Sequence, residues 1–227
     1  MPNWIFTAIV IILIIIYIWR VQYYKIKCER VFIDDLINSN LLKTGDLIIF
    51  KAYNNFNSII TSSYFGHIGM VVIDDKRGAM LFEANGMEKT PMKNHRTTTG
   101  IFYTPLLDRV RRYKGRCFWR SLNKKIDERL IAPFMSFINY ALCNMRYEYD
   151  VVKSWLAKTI GAERCLNNTN CAELIFLCWI KLNLLPLSDY EKINTHYLKY
   201  VCAQTKMLNN YKYSELIEVV DEHFAHD

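Results

Sequence analysis

Strand signals and helix signals occupy different stretches of this chain, which favours an α+β architecture. Residues 44–122 contain short β-branched and aromatic runs separated by turn residues, whereas residues 126–143 and 171–183 have the apolar spacing of helices. No internal repeat or low-complexity linker divides these stretches. Once the first twenty residues are set aside, about 200 remain, which is enough for one domain with its own hydrophobic core.

Two of the predicted strands carry a histidine and a carboxylate. One apolar run begins at His67 and ends in an Asp-Asp-Lys-Arg-Gly turn, and the next run, residues 79–84, contains Glu83. On adjacent antiparallel strands these two side chains meet across the ladder. A carboxylate in that place fixes the tautomer of the imidazole and stabilises its protonated form.

A cysteine opens the helix that is predicted to start at residue 171. Asn170 precedes it as the N-cap, and Glu173 falls at the third helical position, which completes a capping box. The N–H groups and the positive dipole end of the first turn favour a thiolate at Cys171, and the same N–H groups are available to an oxyanion. A thiol, an imidazole and a carboxylate together form the side-chain set of nucleophilic acyl transfer.

In this order the motifs resemble those of the permuted NlpC-like branch of the papain-like superfamily. That branch includes the YiiX-like bacterial proteins, poxvirus members and, more distantly, the lecithin retinol acyltransferase group. The matching motifs are Gly45-Asp46 before an apolar strand, Tyr64-Phe65-Gly66-His67-Ile68-Gly69, Glu83-Ala84, Tyr149-Asp150 and Asn170-Cys171-Ala172-Glu173-Leu174.

The resemblance implies a fold and a set of roles. The fold is a circularly permuted papain-like domain over residues 44–227, with an antiparallel sheet or small barrel packed on helices. The nucleophile is then Cys171, the base His67 and the orienting acid Glu83. The residues expected around the substrate or oxyanion are Asn170, Ala172, Tyr64 and Tyr149. No metal or other cofactor is expected, since no metal-ligand spacing or phosphate-binding loop is present.

The expected activity is that of a cysteine hydrolase or acyltransferase acting on an ester, thioester or amide bond. The N-terminal segment favours a lipid or lipidated substrate. The alternative is a catalytically inactive membrane or virion protein that keeps the same fold as a scaffold or binding module.

Residues 1–20 are predicted to form a single transmembrane anchor. Trp4 to Trp19 is an uncharged run of sixteen residues, with aromatic side chains at both ends where interfacial aromatics belong. As a helix it rises about 24 Å, slightly less than the roughly 30 Å of a hydrocarbon core, and its flanking residues extend it. A cleaved signal peptide is disfavoured, because no Lys or Arg precedes the run and no small-residue site follows it. Residues 21–43 are predicted to form a juxtamembrane helix.

Positive charge follows the anchor directly, at Arg20, Lys25, Lys27 and Arg30. The positive-inside rule then places the C-terminal domain in the cytosol. Seven cysteines without framework spacing agree with a reducing compartment. Richness in Ile, Lys, Asn and Tyr suggests an AT-rich genome, and with the poxvirus resemblance it indicates a viral membrane as a further location.

Much of the formal net charge of +7 comes from a basic stretch within residues 109–125. Such a stretch is predicted to contact anionic lipid headgroups beside the anchor. Nucleic acid is the less favoured partner, because the sequence contains no recognised nucleic-acid-binding module.

Overall fold

The computed structural model describes residues 3–23, 28–52, 65–85, 100–147, 168–186 and 207–222. The helices within these ranges are α1 (Asn3–Tyr23), α2 (Ile33–Asn38), α3 (Leu106–Arg111), α4 (Glu128–Asn144) and α5 (Cys171–Lys181), with a 3₁₀ turn at Leu208–Asn210. The strands are β1 (Glu29–Phe32), β2 (Leu47–Ala52), β3 (His67–Asp74), β4 (Gly78–Asn85), β5 (Gly100–Pro105), β6 (Gly115–Arg120), β7 (Arg146–Tyr147), β8 (Asn168–Thr169) and β9 (Ile217–Val220).

Seven of the described strands form one sheet, in the order β1-β9-β6-β2-β3-β4-β5. Strands β2 to β5 are an antiparallel meander, and β6 pairs antiparallel with the other edge of β2. Within this described sheet, only β1 runs parallel to its neighbour, β9. The described sheet is open, with β1 and β5 at its edges. The remaining pair, β7 and β8, is a short parallel ladder that leads into α5.

Both faces of this sheet are covered, which explains why its central strands are apolar without alternation. In β2, Leu47 and Ile49 face the core formed with α4 and α5, whereas Ile48 and Phe50 face the core formed with α2 and α3. Successive residues of a strand point to opposite faces, so each face receives every second side chain. The result is three layers, with the sheet between two helical layers.

The predicted α+β class is confirmed, and so are the predicted strands of the meander and the helices at residues 126–143 and 171–183. The single helix predicted for residues 21–43 is wrong over its central part. The chain there forms β1 and then the short α2, and β1 belongs to the main sheet. The folded unit therefore includes residues before position 44.

Helix α1 covers the segment that was expected to be the anchor, and its side chains are described from Trp4 to Ile16. Most of these side chains are apolar and exposed. In the part of the chain that is described in this way, no helix has the length and apolar character needed to cross a membrane. Membrane location stays a prediction.

The Gly-Asp motif ahead of β2 forms a structural corner. Gly45 has a φ of +98°, and a Cβ there would lie 2.7 Å from a side-chain carbon of Leu122, so both conformation and space favour glycine. The buried Asp46 carboxylate accepts hydrogen bonds from the backbone N–H groups of Lys43 and Leu122 and from the Trp119 indole. These bonds tie the start of β2 to the end of β6.

Candidate functional site

His67 and Glu83 meet across the β3–β4 ladder. Gly69 is directly opposite Glu83, so His67, two residues earlier, lies diagonally across on the same face of the sheet. The diagonal is bridged by a hydrogen bond of 2.6 Å between His67 Nε2 and Glu83 Oε2. The carboxylate is fully buried, and the His67 side chain is 12% exposed.

Cys171 is the first residue of α5, which packs against β3 and β4. Cys171 is 8% exposed, and its side chain acts on the His67 imidazole by raising the pKa of that ring. One imidazole is therefore bonded to a buried carboxylate, and its pKa also responds to a cysteine that is distant in sequence. The structure joins His67 to Glu83 directly, and the catalytic roles of Cys171, His67 and Glu83 stay predictions.

The start of α5 is held by the capping box that the sequence predicts. The Asn170 side chain accepts hydrogen bonds from the N–H groups of Ala172 and Glu173, at 3.0 and 3.1 Å. The Glu173 carboxylate in turn accepts one from the Asn170 N–H. This reciprocal arrangement fixes the first turn of the helix and thus the direction of the Cys171 side chain.

The same contacts bear on the expected oxyanion site. The Ala172 N–H was expected to be available to an oxyanion, but it is already donated to Asn170 Oδ1. An N-cap side chain satisfies the N–H groups of the second and third helical residues, so only the first is left to a ligand. Within the described part of the chain, that first group is the N–H of Cys171 itself. The other two residues expected near the substrate, Tyr64 and Tyr149, lie outside the described residues.

The buried charges at this site are strongly coupled. Burial by itself raises the pKa of Glu83, but the hydrogen bonds and charges of His67 and Arg109 outweigh it and lower that pKa to about 2. Burial likewise lowers the pKa of His67, but its hydrogen bonds to Cys171 and Glu83 and their charges raise it to about 10. At neutral pH the pair is therefore a carboxylate and an imidazolium, which is the charge state that stabilises a neighbouring thiolate.

Arg109 is the residue of this cluster that the sequence did not reveal. The sequence placed it in a basic stretch on the surface, but it is 5% exposed and its Nε donates to Glu83 Oε1 at 2.6 Å. No local pattern distinguishes it from its arginine neighbours. Helix α3 follows β5 in sequence and packs back against β4. Only this packing shows that the Arg109 side chain points toward the sheet.

Only part of the basic stretch faces solvent. Four of its arginines are committed to internal partners: Arg109 to Glu83, Arg111 to Asp34, Arg116 to Glu218 and Arg120 to the Ser214 carbonyl. These arginines compensate buried or half-buried acceptors, so they are not offered to headgroups. The exposed cations of the stretch are Arg112, Lys114, Lys124 and Lys125, and their contact with anionic lipid stays a prediction.

The chain matches no protein-family model, and no curated protein matches it either. Among solved structures it is similar to the crystal structure of the metalloprotein YiiX from Escherichia coli O157:H7. The two share 18% sequence identity and a TM-score of 0.43, over 80% of this chain and 98% of that one. YiiX is thus a structural neighbour, and at this level of identity and superposition the likeness carries no statement about activity or membership of the permuted branch.

Proposed function

We propose that this chain is a cysteine hydrolase or acyltransferase that acts on an ester, thioester or amide bond. The observation that supports the proposal best is the His67 imidazole, which is hydrogen-bonded to the buried Glu83 carboxylate and whose pKa is raised by the Cys171 side chain. A thiol becomes a good acyl acceptor when a positioned imidazole takes its proton and a third group holds the imidazole.

The proposed reaction begins with the proton of Cys171 on His67, so that the sulfur is a thiolate. The thiolate attacks the acyl carbon, and the Cys171 N–H at the start of α5 donates to the oxyanion that forms. The tetrahedral intermediate collapses as His67 gives its proton to the leaving alcohol, thiol or amine. The acyl group then remains on sulfur as a thioester.

The second half of the reaction mirrors the first. His67 takes a proton from water or from another acceptor, which attacks the thioester carbon. Collapse of the new intermediate releases the acid or the transferred acyl product and restores the thiolate. The same oxygen of Glu83 stays hydrogen-bonded to His67 Nε2 throughout, and the carboxylate offsets the positive charge of the imidazolium.

We further propose that the substrate is a lipid or a lipidated molecule. The support is the row of exposed apolar side chains that α1 presents, which would be favourably covered by acyl chains. Membrane association through this segment is part of the proposal, with the C-terminal domain on the cytosolic side.

Trapping of the acyl-enzyme tests the function directly. The full chain is mixed with a long-chain acyl thioester, quenched in acid and weighed by mass spectrometry. We expect one added acyl group on Cys171, none in Cys171→Ser, and at least a hundredfold slower formation in His67→Gln. Cys178→Ser is the matched control, because Cys178 lies in the same helix, is fully buried, and has its thiol pKa raised by that burial.

The opposite result identifies a scaffold. If several cysteines acylate at similar slow rates, and if His67→Gln changes none of them, the chain has no activated thiol. The same fold then acts only as a binding or structural module.

A further inference from the structure

Glu83 has a second cationic partner besides His67, and this partner comes from a different layer of the fold. Arg109 lies on α3, which packs against β4. Its Nε donates to Glu83 Oε1, while Oε2 of the same carboxylate is bonded to His67. Each carboxylate oxygen is thus held by a different cation, and the carboxylate cannot rotate without breaking one of the two bonds.

The guanidinium of Arg109 is itself fixed by aromatic rings. Its central carbon lies 4.6 Å from the centre of the Phe50 ring and 5.3 Å from that of the Tyr113 ring. The Phe50 ring also lies 5.3 Å from the His67 ring. A desolvated guanidinium over aromatic faces is attracted to them, so these rings restrain both cations that hold Glu83.

We propose that Arg109 is a positioning residue of the Cys171 site, whose guanidinium keeps Glu83 ionised and keeps its other oxygen on His67 Nε2. This inference rests on the proposed function. Arg109 does not touch the reacting atoms and acts through Glu83. Along the row Arg109, Glu83, His67 and Cys171 the charges alternate once the sulfur is a thiolate, so the buried row is neutral as a whole.

The geometry favours this role over that of an ordinary ion pair in the core. A core pair can often be replaced by apolar residues without loss of stability, since desolvation of the ions offsets their attraction. Here the carboxylate is shared with an imidazole whose pKa is also raised by Cys171. Loss of the guanidinium changes the proton affinity of Glu83, and the effect reaches Cys171 through His67.

The test follows the ionisation of Glu83 in the full chain labelled with ¹³C-glutamate, with its carboxyl resonance assigned from Glu83→Gln. In the unchanged protein we expect the carboxyl to stay ionised down to about pH 2 or to the onset of acid unfolding. In Arg109→Gln and Arg109→Met we expect its midpoint at least one pH unit higher, a tenfold gain in proton affinity. Methionine retains the packing between the two rings and so serves where glutamine does not fold.

Two further variants separate charge from structure. Arg109→Lys retains the charge, and we expect it to restore the midpoint of Glu83 to within half a pH unit of the unchanged protein. Arg111→Gln removes a neighbouring arginine of α3 whose partners are Asp34 and Asp221, and we expect no movement of the Glu83 midpoint. A merely structural Arg109 would lower the melting temperature of its variants and leave the titration of Glu83 where it was.

The alkylation rate of Cys171 by iodoacetamide, followed against pH, gives the functional readout. We expect a lower rate in Arg109→Met than in the unchanged protein at each pH where Glu83 of the variant has taken up a proton. A folded Arg109→Met protein whose Glu83 midpoint moves by less than half a pH unit overturns the inference. Because the carboxyl titration needs no thiol chemistry, an inert Cys171 beside a displaced Glu83 midpoint refutes the proposed function and leaves only the effect of Arg109 on Glu83.

Discussion

Replacing Glu83 by glutamine tests the buried charges most sharply, because the change removes one charge and almost no volume. The carboxylate is 0% exposed and its partner Arg109 is 5% exposed. Glu83→Gln therefore leaves a buried guanidinium without its counter-charge. Breaking a buried pair in this way costs about 3–5 kcal/mol, which is a large share of the stability of one domain.

The companion change Arg109→Gln separates the pair from its parts. In the double variant both charges are gone, and two amides that can hydrogen-bond to each other remain. We expect the double variant to be no less stable than Glu83→Gln alone. The cost of Arg109→Gln then disappears once Glu83 is replaced, which corresponds to a coupling energy of about 3 kcal/mol. Urea unfolding of the full chain measures all four proteins under one set of conditions.

A matched surface pair provides the control. Arg129 and Asp127 are separated by 2.7 Å, much like the buried pair, but both are largely exposed. Since exposed pairs are screened by water and salt, Asp127→Asn with Arg129→Gln is expected to show no measurable coupling. If the buried pair also proves additive within about 0.5 kcal/mol, the account of the site as a coupled row of charges is wrong.

Three other changes have defined outcomes. Gly69→Val is expected to destabilise the chain by about 1–3 kcal/mol in urea, because a Cβ at this position lies 2.9 Å from the buried Leu81 side chain; Gly69→Ala is expected to cost less. Because the pKa of His67 is raised to about 10, its contribution to stability is complete below about pH 6.5 and is lost as the pH rises through 10. Free energies of unfolding measured from pH 6 to 10 are therefore expected to fall. In His67→Asn they are expected to fall less steeply. Asn170→Ala is expected to cost about 1 kcal/mol by loss of the N-cap, whereas Asn170→Asp retains it, as thermal melting of both would show.

Local signals predicted the parts of the fold that depend on near neighbours in sequence. The capping box of Asn170 and Glu173 spans four residues, and the β3–β4 hairpin is closed by a short turn, so both follow from residue type and spacing. The encounter of His67 with Glu83 follows from that hairpin. The approach of Cys171 from about a hundred residues away does not, and at the level of sequence it came only from the resemblance.

The parts that escaped prediction depend on distant pairing. Strand β9 has four residues and pairs with β6 and β1, the second of which is nearly two hundred residues earlier. Its single acidic residue, Glu218, is compensated by Arg30 and Arg116 from those two strands. A count of charges along the sequence does not show which distant charges pair. Arg109 was therefore interpreted as part of a solvated basic face.

The titration of the His67 imidazole tests the central claim most directly, since the claim is that this ring joins Glu83 to Cys171. The full chain labelled with ¹⁵N-histidine is titrated by NMR, beside Cys171→Ala and with the resonance assigned from His67→Gln. We predict a pKa of about 10 for His67, and a lower value in Cys171→Ala because one hydrogen bond and one charge are lost. A pKa near the ordinary 6.5 that is the same in both proteins would contradict the account.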